Sequence, residues 1–307
     1  MLRDFSANNA GPLLSEASRQ FLEFARVELQ FSPQTNIKYG DCLRQVIALI
    51  GDQPVMNLGR PEILKLKAGM LGRGNGVCRQ VVILAGLKRL LLYCRDHLRL
   101  NVLDPETIVI PRRPRREVAF LNPDEVDRFV HAIPLLTRCG APHLAGLRFR
   151  AVVEALLGTA MRIGELLSLN RADIDVERKE ARVIGKGNKQ RTVFFTDRAL
   201  FWIKAYLEIR KDEAPALFIS QHANTRLSRT DLWRPFARYR ALAGLNKPVR
   251  PHLLRHTAAT QLLFNGCPVG HIKEILGHER LETTCRYYLG LDQRAAKAAH
   301  EKYLVYR

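Results

Sequence analysis

Apolar positions in the first hundred residues recur at helical spacing. In "SEASRQFLEFARVEL" they fall at Phe21, Leu22, Ala25 and Leu29, which predicts an amphipathic helix. Ser32 followed by Pro33 spells the capped start of a second helix, running through "QTNIKYGDCLRQVIALI" and stopping at Gly51. A third, short helix begins near Pro61. In "LGRGNGV" the glycines at 72, 74 and 76 follow no strand and lack the dinucleotide-binding spacing, so they predict a connection and not a phosphate cradle. Beyond it, Leu84, Leu87, Leu91, Cys94 and Leu98 form a buried stripe on a long helix, with Lys88, Arg95 and Arg99 on another face. A basic face of this kind is most often solvated surface, and contact with a polyanion is the sharper alternative.

The pattern breaks at "IPRRPRREVAFLNPDEV". Pro111 and Pro114 interleaved with Arg112, Arg113, Arg115 and Arg116 predict an extended basic linker, and Asn122, Pro123 and Glu125 spell a capped helix start. The chain therefore divides into a tail over 1–11, a helical domain over 12–111, a linker over 112–118 and a second domain over 119–307. That second domain contains helices in "GLRFRAVVEALLGTAMRIGELLSL", then an apolar-polar alternation, "EARVIGKGNKQRTVFF", which predicts two short strands around a Gly-Lys-Gly-Asn-Lys turn. Later segments are helical again, with Gly266 and Gly277 at helix ends. The fold class is mainly α with a small antiparallel sheet.

Composition narrows the partner. With 307 residues, 47% of them apolar, two cores can be filled and a disordered or fibrous chain is excluded. The 49 Lys+Arg against 30 Asp+Glu give +19, which points to a polyanion. Residues 1–118 hold 18 basic and 11 acidic side chains and residues 119–307 hold 31 and 19, so both halves are basic, as for two domains gripping one polymer. Cys42, Cys78, Cys94, Cys139, Cys267 and Cys285 are scattered without a paired spacing, which predicts reduced thiols, no zinc site and a cytoplasmic setting. The first residues, "MLRDFSANNAGPLL", have no signal-peptide pattern, and no uncharged run approaches the ~18 residues of a membrane span.

The candidate chemistry lies in the second domain. Arg162 heads "MRIGELLSL" with Glu165 three residues on, a pair that alone is usually a surface ion pair worth under about 1 kcal/mol. Lys186 sits at the hairpin tip. In "RPHLLRHTAAT", His252 and Arg255 share a helical face and His256 lies further around. The His252/His256 spacing suits zinc, but the glutamate that such a motif needs is replaced by Leu253, so no metal is expected. Finally "LGHERLETTCRYYLG" places His278 nine positions ahead of Tyr287, beside Tyr288. Two arginines, a lysine, two histidines and a tyrosine are what metal-free phosphoryl transfer requires. Fixed cations stabilise charge on the equatorial oxygens, and a cationic pocket lowers the pKa of a phenol enough for it to attack.

The boxes "GTAMRIGELLSL", "VIGKGNKQRTV", "RPHLLRHTAATQLL" and "ILGHERLETTCRYY", in that order, closely resemble those of the tyrosine recombinases, the Xer-type, phage and transposon integrases. The resemblance covers essentially the whole chain and implies an N-terminal four-helix core-binding (SAM-like) domain ahead of the catalytic domain. It implies Arg162, Lys186, His252, Arg255, His278 and Tyr287 as the active set, with Glu165 supporting Arg162 and Lys186, not Lys189, as the turn lysine. It also implies double-stranded DNA sites as substrate, no cofactor, a homotetramer on DNA and a C-terminal segment docked on a neighbouring protomer. One departure is Ala160, where the family usually has glycine after the threonine. A second is Tyr288, a phenol beside the matching Tyr287.

Three other activities compete with strand exchange. A DNA-binding regulator of the same fold would have no use for an intact nucleophile, and a type IB topoisomerase would relax supercoils without defined sites. A carboxylate-metal nuclease could draw on Asp173 and Asp175 in "NRADIDVERKE", residues that the pattern places in the turn before the first strand. The sequence shows no additional N-terminal arm-binding domain, which favours a simple core-site enzyme.

Overall fold

The computed structural model describes residues 11–114, 119–185, 189–220 and 225–277. The chain forms two compact units that divide between Arg116 and Glu117. Among its described residues the first unit holds four α-helices, α1 (Leu14–Val27), α2 (Pro33–Ile50), α3 (Arg60–Gly72) and α4 (Val77–Asp96). The Ser32 hydroxyl accepts the Thr35 N–H at the start of α2, with Pro33 in the first turn, and the chain leaves the helix at Gly51 with φ 91°. Phe21, Leu43, Leu66, Met70, Leu84, Leu87 and Leu91 from all four helices form one buried cluster.

Two boundaries differ from the pattern. Helix α1 ends at Val27, and the chain turns at Gln30 with φ 50°, so Leu29 lies off the stripe and is 42% exposed. Helix α4 ends at Asp96. Arg99 adopts φ 56° beyond that end and does not share a helical face with Lys88 and Arg95. Those two cations have partners inside the unit: Lys88 reaches Glu106 at 2.7 Å, and Arg95 reaches Asp96 at 2.7 Å and Asp104 at 3.7 Å. Arg112 and Arg113 are exposed in irregular chain, and Arg115 and Arg116 lie outside the described residues.

The second unit begins with a reciprocal cap. Asn122 Oδ1 accepts the Glu125 N–H at 2.8 Å and Glu125 Oε2 accepts the Asn122 N–H at 2.9 Å, which starts α5 (Pro123–His131). Then follow α6 (Leu144–Thr159), α7 (Ile163–Ser168), a three-stranded antiparallel sheet, α8 (Asp197–Glu208), α9 (Trp233–Leu242), α10 (Pro251–Phe264) and α11 (Val269–Leu276). The sheet order is β1 (Ile174–Asp175), β2 (Glu180–Ile184), β3 (Gln190–Phe194), with Ile184 opposite Gln190. Gly185 N–H donates to the Lys189 carbonyl at 2.8 Å and closes the hairpin. Lys186 lies outside the described residues.

Strand β1 corrects the expected turn. Asp175 pairs with Glu180 across the ladder while its side chain accepts the Arg178 N–H at 2.8 Å, and Asp173 accepts the Asn170 N–H at 2.7 Å. Both carboxylates are occupied in local backbone capping. Helix α6 is almost wholly buried and packs against α8 and α10, which places its C-terminal end, and the residues after it, inside the unit. Among the described residues the five cysteines are free thiols; burial pushes the Cys94 thiol up to about 12, which leaves it unreactive at neutral pH. No helix among those residues is long and apolar enough to cross a membrane.

Candidate active site

The site starts at the sharp exit from α6. The Thr159 hydroxyl donates to the Ala155 carbonyl at 2.6 Å and accepts the Met161 N–H at 3.2 Å, and Ala160 takes a left-handed conformation at φ 53°, ψ 17°. That turn aims the Ala160 carbonyl at Arg255 Nη1, 2.9 Å away, and delivers Arg162 to the start of α7. An alanine at such a φ costs about 1–2 kcal/mol against glycine. Its methyl, buried beside Ala258, Ala259 and Ile272, returns ~0.8 kcal/mol. Ala160→Gly is therefore expected to stabilise the protein by about 0.2–1.2 kcal/mol, read as a rise in the urea midpoint at constant slope. A fall in the midpoint would show that the methyl contacts outweigh the backbone strain.

Glu165 organises the next layer. It is 5% exposed, its Oε2 accepts the Arg162 backbone N–H at 2.8 Å and its Oε1 accepts Arg162 Nη1 at 2.8 Å. A second guanidinium, Arg191 on β3, donates Nη2 to Glu165 Oε2 at 2.8 Å. Burial alone would raise the carboxyl pKa. The Arg162 N–H, the Arg191 charge and the Arg162 guanidinium outweigh it and hold the group below the ordinary carboxylate range.

Three arginines then meet the end of α11. Arg191 Nη1 donates to the Ile275 carbonyl at 2.7 Å, Arg255 Nη2 to Leu276, and Arg162 Nη2 to Gly277 at 3.1 Å. A helix leaves its last carbonyls without intrahelical partners and carries partial negative charge there, so three cations from α7, β3 and α10 satisfy consecutive acceptors and offset the dipole. Gly277 turns the chain at φ 60°, and a Cβ there would fall 2.6 Å from Arg191 Nε, which only glycine avoids. The next residue in the chain is His278.

Arg255 is buried on α10, and His252 lies one turn earlier at the surface, at the start of the same helix. Partial burial, followed by the charges of Arg255, Arg229 and Arg162, lowers the His252 pKa from the ordinary imidazole value, and burial, His252 and Arg255 do the same for His256. Both shifts favour the neutral imidazole. Among the described residues no group of three or more His, Cys, Asp or Glu is placed to hold a metal ion.

The structure thus brings Arg162, Glu165, Arg255 and His252 together, while His278, Tyr287 and Tyr288 lie outside the described residues with Lys186. Arg191 went unread in the sequence. Its only signal was a basic residue one position into the strand that follows the Gly-Lys-Gly turn, which nothing in the alternation distinguished from a solvated side chain.

A family model, the phage integrase family, matches residues 119–294, more than half of the chain. The chain belongs to the phage integrase family. Within it the protein is a Xer-like tyrosine recombinase, a DNA strand transferase. It is 28% identical over 291 residues to tyrosine recombinase XerD of Lacticaseibacillus casei, covering 92% of this chain and 96% of that one. The fold is also that of the Tn1549 transposon integrase in complex with transposon right end DNA, at a TM-score of 0.76 and 18% identity over 94% of this chain and 99% of that one. A lambda integrase tetramer bound to a Holliday junction superposes at a TM-score of 0.72 with 17% identity, over 90% and 80% of the two chains. In this tyrosine recombinase the α6–α7 turn, β3, α10 and the end of α11 are the parts that carry or fasten the family's boxes.

Proposed function

We propose that this recombinase cuts and rejoins DNA through a 3′-phosphotyrosine intermediate. The observation that carries the reading is the convergence of Arg162 and Arg255, 93 positions apart in the chain, on carbonyls at the end of α11, immediately before His278. The Tyr287 phenolic oxygen attacks the scissile phosphorus, the bond from phosphorus to the 5′ oxygen breaks, and Lys186 gives that oxygen its proton. Arg162, Arg255 and His278 donate to the oxygens of the pentacoordinate centre, where planar guanidinium forks match two oxygens at once. His252, whose surroundings favour the neutral imidazole, accepts the proton that the phenol loses. Attack by a partner strand's 5′ hydroxyl then reverses each step, so one phosphodiester replaces another without nucleotide or metal cofactor.

The first unit is read as the core-binding domain and the basic segment over 112–118 as the linker, so that both units contact double-stranded recombination sites. Lys88, Arg95, Arg99, Arg112, Arg113, Arg115 and Arg116 are its candidate DNA contacts. The working assembly is a homotetramer on DNA, joined by the C-terminal segment, in the cytoplasm. The relatives' complexes with DNA substrates and with a Holliday junction support this reading.

A nicked suicide substrate, its sequence selected by binding from a random pool, tests the chemistry. The wild-type protein is expected to form a covalent protein–DNA adduct in the presence of EDTA, detected as a denaturant-resistant shift on a gel. Cleavage that EDTA abolishes and that leaves no adduct would overturn the reading in favour of a metal-dependent nuclease.

A further inference from the structure

Most half-buried and buried arginines of the second unit neutralise a carboxylate. Arg162 and Arg191 share Glu165, Arg150 and Arg198 share Glu154, and Arg171 and Arg210 share Asp212. Half-buried Arg240 departs from this habit, and two exposed arginines stand beside it. Arg229, Arg240 and Arg250 line one cavity of about 470 Å³, together with Ile163, Trp233 and His252, and among the described residues none of the three forms an ion pair with Asp or Glu. Arg240 Nε is buried there with no hydrogen-bond partner among those residues. Arg250 lies 5.3 Å over the Trp233 ring, and Trp233 is 61% exposed.

Arg229 and Arg250 are exposed and keep their hydration, but the desolvated, unpaired Nε of half-buried Arg240 costs free energy that the folded chain by itself does not recover. An external anion recovers it. The cavity also adjoins the candidate active site. Its wall includes His252 and Ile163, the residue after Arg162, and Arg229 lies so close to α7 that a Cβ on Gly164 would come within 2.2 Å of its Nη2. The Arg229 charge is felt at His252 along with that of Arg162. Along one DNA strand the charges succeed each other every ~3.4 Å of helix axis, so a protein that grips the scissile phosphate meets the neighbouring ones as well.

We propose that this cavity is a second phosphodiester subsite, in which Arg229 and Arg240 hold a backbone phosphate of the cleaved strand next to the scissile one. Arg250 fixes the Trp233 ring, whose exposed face packs on the adjoining sugar or base. The subsite rests on the reading that Arg162, Arg255 and His252 engage DNA. It adds binding and register to that reaction without a bond being made or broken in the cavity.

The test is the salt dependence of DNA binding by the full-length protein, measured by fluorescence anisotropy on the same pool-selected duplex. R229Q and R240Q are each expected to bind more weakly and to reduce the slope of log K against log salt by about 0.9, the value for one phosphate contact. R240K keeps the charge and is expected to keep the wild-type slope, which separates loss of a contact from loss of fold. W233A is expected to weaken binding about tenfold with the slope unchanged, because it removes stacking and no charge. Wild-type slope and affinity in both glutamine variants would overturn the subsite, as would an R240K protein that behaves like R240Q. Adduct formation by the wild-type protein on the suicide substrate is read in parallel. Its absence counts against the proposed chemistry, whereas unchanged slopes in an adduct-forming protein count against the subsite alone.

Discussion

A Tyr287→Phe protein is expected to bind DNA as the wild type does and to form no covalent adduct, while Tyr288→Phe forms it. Removing the hydroxyl removes the proposed nucleophile, and none of the proposed arginines, histidines or lysine replaces it. Loss of a covalent nucleophile lowers a rate by a factor on the order of 10⁵, far below detection in a trapping assay. The two phenols are adjacent in the chain, so each variant is the control for the other. The resemblance to the tyrosine recombinases implies Tyr287, nine residues after His278, as the nucleophile. An adduct that persists in Tyr287→Phe and vanishes in Tyr288→Phe would move the nucleophile by one position and the catalytic geometry with it.

Glu165→Ala is expected to destabilise the protein by about 3 kcal/mol, read from the urea midpoint, and to reduce the adduct yield as well. The carboxylate is 5% exposed and Arg191, its partner, only 15%, so truncation leaves a desolvated guanidinium with the Ile275 carbonyl as its remaining acceptor. Breaking a buried pair in this way typically costs about 3–5 kcal/mol, and the low end applies because Arg162, 33% exposed, recovers hydration. A change under about 1 kcal/mol would show that the α11 carbonyls hold Arg162 and Arg191 without Glu165. The same carboxylate sets a pH limit. Its folded pKa lies below the unfolded value, so its contribution is complete above the unfolded carboxyl pKa and is lost as pH falls through the lower, folded value. Glu165→Gln is expected to remove that acid-dependent component while it preserves the shape of the side chain.

The elements were legible because their signals are local. Ser32-Pro33, the Asn122/Glu125 cap and the glycines at 51, 266 and 277 each act on backbone groups within four residues, and each sits where its helix starts or stops. The misreadings share the opposite cause. Leu29 and Arg99 continue an apolar or basic period beyond a helix end fixed by left-handed residues that no glycine announced, and Ile174–Asp175 is too short to alternate and becomes a strand only by pairing with β2. Lys88 and Arg95 do share a face of α4, and Glu106 and Asp104, brought alongside by the chain after α4, take up their charges.

The sequence by itself carried the candidate chemistry, since the resemblance of its boxes implies the arginines, histidines, lysine and tyrosine, and those identities do not depend on how the chain is folded. Only the tertiary structure decided how the arginines are held. Arg162, Arg191 and Arg255 come from a helix cap, a strand and a helix interior, and each donates to one of three consecutive carbonyls at one helix end, with the buried Glu165 shared by Arg162 and Arg191. Such an arrangement has no period and no motif. It exists because unpaired carbonyls and a desolvated carboxylate require donors, and the fold supplies them from wherever the chain happens to pass.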